Sequence, residues 1–149
     1  MLWEVDVHLR QNDPAAQELV DAANDLGLSI HTAHTATGWL IEGDMSLNEV
    51  QRMGDCLFTD PVTEVCRVAK AGDEVLVTEP PGSSEAHNLI LHVLPKPGVT
   101  DPAAESAKEA MLVLGVRATA IRSVKKYWLP ADCITPKQAE DIAWKLLAS

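Results

Sequence analysis

Apolar and polar residues alternate strictly from the start of the chain. Trp3, Val5, Val7 and Leu9 fall on one side and Glu4, Asp6 and His8 on the other, the period of a strand with one buried face. The period then changes. Ala16, Leu19, Val20, Ala23 and Leu26 recur at three- and four-residue steps, which predicts an amphipathic helix. Asp13 can accept from the free N–H groups of its first turn, Pro14 supplies a preset φ where no N–H is needed, and Gly27 stands where a left-handed residue stops a helix most cheaply. A polar, β-branched run over 29–42 predicts an extended strand or hairpin. Ser46-Leu47-Asn48-Glu49 is a capping box opening a second helix with Val50, Met53, Leu57 and Phe58 as its stripe, and after Asp60-Pro61 the segment 62–69 predicts a closing strand.

The same signals return in the same order. Behind a strand at 89 and a Pro97-Gly98 turn, Asp101 and Pro102 cap a helix striped by Ala104, Ala107, Met111 and Leu114 and stopped at Gly115. A strand through Leu129 follows, then the capping box Thr135-Pro136-Lys137-Gln138 and the stripe Ala139, Ile142, Leu146 and Leu147. Asp13-Pro14-Ala15-Ala16 and Leu26-Gly27 recur 88 positions on. Trp39-Leu40 and the capping box recur 89 positions on, which reads as a one-residue loop insertion ahead of that strand. The pattern predicts an α+β chain of two tandem β-α-β(β)-α-β units, each laying two helices on one face of its own antiparallel strands, together a pseudo-dimer.

Residues 1–70 form the first unit, 71–87 the linker and 88–149 the second. The linker is assigned because Glu79-Pro80-Pro81-Gly82-Ser83-Ser84 is a composition that neither packs nor continues an element. Ser149 aligns with Asp60, so the second unit lacks a counterpart to the closing strand. The expectation is an N-terminal piece of a longer protein, with another segment or a second copy filling the open sheet edge.

Composition narrows the function classes. An apolar fraction of 46% with 23% charge is that of a folded soluble domain, no apolar run approaches a membrane span, and the chain opens directly into a strand rather than a signal peptide, so the cytoplasm is the expected compartment. Cys56, Cys66 and Cys133 are odd in number and lack C-x-x-C spacing, which reads as small, reduced, buried residues. The net charge of -10 divides as -8 over 1–70, -4 over 71–87 and +2 over 88–149, so the acidic first half argues against nucleic acid as a partner. His31 and His34 fall on opposite faces of an extended segment, a poor metal pair; His8 and His92 read as surface or interface residues, and Ser83 and Ser84 lack a nucleophile elbow. No P-loop, G-x-G-x-x-G or H-E-x-x-H is present. The asymmetric feature is basic: Lys96, Arg122, Lys125 and Lys126 have no basic counterparts in the first half, and read either as a solvated strand face or as a patch that docks an acidic surface or a phosphate.

K-P-G-V-T-D-P at 96–102, a small-residue helix ending Leu114-Gly115 and the strand I-R-S-V-K-K at 121–126 resemble the PurS family, with the first half as a worn copy. PurS is the small, non-catalytic subunit of phosphoribosylformylglycinamidine synthase, which transfers glutamine-derived ammonia to formylglycinamide ribonucleotide with ATP hydrolysis in purine synthesis. The resemblance implies a catalytically inert assembly portion that joins synthetase and glutaminase parts, with Lys96, Arg122, Lys125 and Lys126 as partner contacts. ATP and Mg are then expected in the parent enzyme and no cofactor in this chain. The competing expectation is a stand-alone, ferredoxin-like regulatory module that binds a small ligand.

Overall fold

A computed structural model describes residues 1–81 and 89–147. Ser83, Ser84 and Ser149 lie outside the described residues. Among the described residues five strands, β1 (Leu2–Leu9), β2 (His34–Glu42), β3 (Glu64–Lys70), β4 (Leu89–Val93) and β5 (Ala120–Leu129), pair antiparallel in the order β3-β1-β2-β5-β4. Four α-helices, α1 (Pro14–Asp25), α2 (Leu47–Met53), α3 (Pro102–Val113) and α4 (Pro136–Ile142), complete an α+β fold. The two expected sheets are one, because β2 and β5 pair along nine residues through the middle.

The helix ends follow from local chemistry. Asp13 Oδ1 accepts from Ala16 N–H at 3.0 Å and Asp101 Oδ1 from Ala104 N–H at 3.1 Å, so each aspartate satisfies a donor that the first turn leaves free. At the far ends Gly27 and Gly115 take φ of 85° and 80°, and the next residues close 6→1 bonds, Leu28 N–H to Ala23 O and Val116 N–H to Met111 O. The stripes stop one position earlier than predicted. Leu26 and Leu114 are the C-cap residues and are 50% and 42% exposed, since the chain is already turning off the sheet there. Both capping boxes are formed, and α2 and α4 each run on into a π-helical turn, Gly54–Phe58 and Ala143–Leu147. The wider turn keeps Phe58 and Leu147 within the packed layer, five positions beyond Met53 and Ile142.

Packing departs from the expectation that each half covers its own strands. One core joins Trp3, Val5, Val7 and Ile41 to Val50 and Met53 of α2, but also to Met111 of α3 and to Val116 and Ala118. The other joins Leu129, Ala139 and Ile142 to Ala16, Leu19, Val20 and Ala23 of α1. The first helix of each half therefore spans the seam, packing on the central strand of its own half and on the core of the other. The strand register also moves the insertion. Trp39 lies opposite Val5 and stacks on Phe58 on the helical face, whereas Trp128 lies opposite His34 on the reverse face. Trp39 and Trp128 are thus not equivalents; an unbroken 88-residue offset runs through β2 and β5, and the extra residue sits in the loop after them.

Two further corrections concern burial. Cys56 is exposed rather than buried, because it sits on the outer side of the π turn; Cys66 and Cys133 are half-buried, and all three are free thiols. The linker was expected not to pack, yet Asp73 caps a 3-10 turn at Glu74–Val77 that lays Leu76, 2% exposed, against the protein. Among the described residues no helix is long and apolar enough to cross a membrane.

Candidate functional site

The face of the sheet opposite the α-helices is where the chain concentrates its buried charge. Alternation puts Glu4, Asp6 and His8 of β1 on that face, and the pairings Asp6↔Gly38, His8↔Ala36 and Ala36↔Lys126 bring Lys126 of β5 across to them. Gly38 makes the crossing possible: a Cβ there would stand 2.8 Å from Asp6 Oδ1 and 2.8 Å from Val124 Cγ1. Lys126 Nζ donates to Asp6 Oδ2 at 2.6 Å, to Glu4 Oε2 at 3.0 Å and to the Leu76 carbonyl at 2.6 Å. Lys126 and Asp6 are fully buried, and the Lys126 ammonium also lies 5.0 Å from the ring centroid of Trp128.

Residues 73–79 are the lid of this cluster. Arg67 on β3 donates to the carbonyls of Val75, Thr78 and Glu79 and to Thr78 Oγ1, so it grips the segment on both sides of Leu76 while Lys126 holds the carbonyl of Leu76 itself. Burial pushes the Asp6 carboxyl well above the usual carboxylate range, Glu4 adds to that push, and Lys126 opposes it. Burial likewise lowers His8 to about 3, with Arg67, Lys126 and His34 repelling its charged form. His8 packs its ring 5.3 Å from that of Trp128, and neither ring nitrogen has a hydrogen-bond partner among the described residues. It is a core residue, contrary to the surface role read from the sequence.

An ammonium has three N–H donors, and all three of Lys126 are engaged by protein. The cluster therefore closes the strap over the sheet and offers no donor to an outside group. This overturns Lys126 as a partner contact. Arg122 is exposed but donates to the Pro95 carbonyl at 2.6 Å, so it braces the turn before the helix. Lys96 and Lys125 are exposed. Lys96, Pro97, Gly98 and Val99 form a type II turn, in which Gly98 supplies φ of 82° and Val99 N–H bonds the Lys96 carbonyl at 3.1 Å.

The two cap aspartates do more than cap. Asp13 Oδ2 also accepts from Thr35 N–H at 2.8 Å and its carboxylate from Thr35 Oγ1; Asp101 does the same with Ser123, 22 residues on in each case. Burial pushes Asp101 up, but the N–H bonds from Ser123 and Ala104 outweigh it and leave the carboxyl below its ordinary value. Each carboxylate is thus spent on tying a helix start to a central strand, with Pro14 and Pro102 behind it.

Beside β4 lies a groove of about 530 Å³ between the 96–100 turn and the π turn that follows α4, and Trp144 on its wall is 68% exposed. Among the described residues no group of three or more His, Cys, Asp or Glu side chains is placed to hold a metal ion. Neither a scan of protein-family models nor a search of curated proteins finds a match to this chain.

Proposed function

We propose that this chain is a tandem PurS-like assembly portion of phosphoribosylformylglycinamidine synthase, a pseudo-dimer that joins synthetase and glutaminase parts and performs no chemistry itself. The observation that carries the reading is the doubled anchor: Asp13 with Ala16 and Thr35, and Asp101 with Ala104 and Ser123, at one spacing in both halves. β2 and β5 meet antiparallel about the Thr37↔Lys125 pair, the arrangement two copies of one subunit would adopt about a twofold axis. The K-P-G-V-T-D-P turn adds the resemblance, and of its basic residues Lys96 and Lys125 are free to meet an acidic partner. All donors of Lys126 being engaged fits a scaffold better than a catalyst.

The test is reconstitution. Purified chain is added to the synthetase and glutaminase subunits of a PurS-dependent synthase from which PurS has been left out. Co-elution of the three and return of glutamine-dependent activity are expected, with no turnover by the chain alone on ATP, ammonia and formylglycinamide ribonucleotide. Failure to form the complex, together with marked thermal stabilisation by a nucleotide or amino acid, would replace this reading with the small-ligand regulatory module.

A further inference from the structure

The two halves differ most at their outer edges. In the first half β3 lies against β1, with Val5↔Val68 and Val7↔Cys66 in register, and it seats itself on the π turn. Gly54 lets it come close: a Cβ there would stand 3.2 Å from Cys66 Sγ and 3.3 Å from Val68 Cγ2. Asp55 touches the strand directly, accepting from Cys66 Sγ at 3.2 Å. In the second half β4 takes the place of β1, and its outer row of N–H and C=O groups meets no strand among the described residues. The matching π turn carries Ala143 where Gly54 stands, Trp144 where Asp55 stands and Leu147 where Phe58 stands. Trp144 therefore occupies the position that in the first half contacts a third strand.

We propose that the β4 edge and the groove beside it are a docking site for an extended segment of a partner protein, which adds antiparallel to β4 as a sixth strand. The direction is that of β3 on β1. Its two inward side chains would face Leu91 and Val93, pack on Trp144 and Leu147, and be small, because Ala143 fills the space that Gly54 leaves open. The groove sets the charge as well. It is lined by the cations Lys96 and Lys125 and by no carboxylate, so the segment carries acidic residues beside its small apolar ones. The proposal stands on the two edges alone and does not depend on a role in purine synthesis.

Fluorescence titration with synthetic peptides tests it, using the intact chain. One peptide copies residues 60–71 with Cys66→Ser and Glu64→Gln; a second keeps Glu64, which the register brings beside Lys96 and Lys125, and adds Val62→Glu; a third scrambles the second. Binding of the first two with a shift in tryptophan emission is expected, the acidic peptide about tenfold tighter, and Trp144→Ala should weaken both by about tenfold. Lys125→Glu should remove the advantage of the acidic peptide and leave the first peptide's affinity in place. Trp144 and Lys125 are exposed, so these variants should fold, which circular dichroism checks. The proposal is overturned if neither peptide binds, if the scrambled peptide binds equally, or if the acidic one holds no advantage. It is overturned too if sedimentation shows the edge occupied by a second copy, as a dimer that Trp144→Ala dissolves.

Discussion

The two faces of the central sheet obey different rules. On the helical face the halves are near copies: each has an anchored aspartate, a glycine-stopped helix and a π turn at matching positions. On the opposite face they have parted. Gly38 corresponds to Lys126 at the 88-residue offset, and the carboxylates of β1 have no counterpart on β4, where Ile90 and His92 follow the same alternation. A helix anchor needs only its own half, so it can be repeated. A lysine reaching for two carboxylates and a strap needs one of each, and the linker that supplies the strap exists once. The asymmetry lies where the chain has a single element to hold.

The strongest way to break this contrast is Lys126→Met. Removing the cation leaves Glu4 and Asp6 facing each other under the strap, and a loss of about 3–5 kcal/mol is expected in chemical denaturation. A loss below about 1 kcal/mol would mean that the cluster does not fasten this face.

Next in size is the response to acid. The folded value of His8, about 3, lies below its ordinary 6.5, so between those limits the folded protein binds fewer protons than the unfolded chain. The contribution of His8 is present in full above pH 6.5 and is lost as pH falls toward 3. His8→Leu lacks that loss, and its stability relative to the wild type should rise by up to about 1.4 kcal/mol per pH unit below 6.5, reaching about 3 kcal/mol by pH 4. Asp6 acts in the opposite sense: its raised carboxyl favours the folded state in acid, and that contribution fades as pH rises through the raised value. The difference between variant and wild type, followed by urea melts across pH, isolates His8. A pH-independent difference would rule out a buried neutral imidazole.

On the helical face Asp13→Ala and Asp101→Ala should each cost about 1–2 kcal/mol and agree within about 0.5 kcal/mol if the anchors are equivalent. Unequal losses in paired denaturation curves would break the likeness of the two halves. The smallest effect belongs to Lys125→Ala, one residue from Lys126 but exposed, for which a change within about 0.5 kcal/mol is expected in the same assay.

These contrasts also explain what the amino-acid order revealed. Caps, stop glycines and capping boxes were legible because each is settled by residues three or four apart; the alternation of β1 sorted its side chains onto two faces but gave one of them as buried, where both are. The fate of Lys126 was not, since Lys125 and Lys126 look alike in a basic run and only pairing with a strand 120 residues away decides which is buried. Leu76 stands in a stretch whose prolines and acids suggest a tether, and nothing local indicates that two cations wait for its own carbonyl and those beside it. The groove by β4 was anticipated only as a missing strand; Trp144 gained meaning once its place was compared with that of Asp55.

The reach of α1 and α3 across the seam has a consequence for how the chain acquires its structure. A half cut at the linker would keep its helix anchor but bare the part of that helix's apolar stripe that packs on the other half, so each half completes the other's core. Each core closes only after segments roughly a hundred positions apart have met. Such high contact order makes for slow, all-or-none assembly: one melting transition for the whole chain, and separately expressed halves that become native only together.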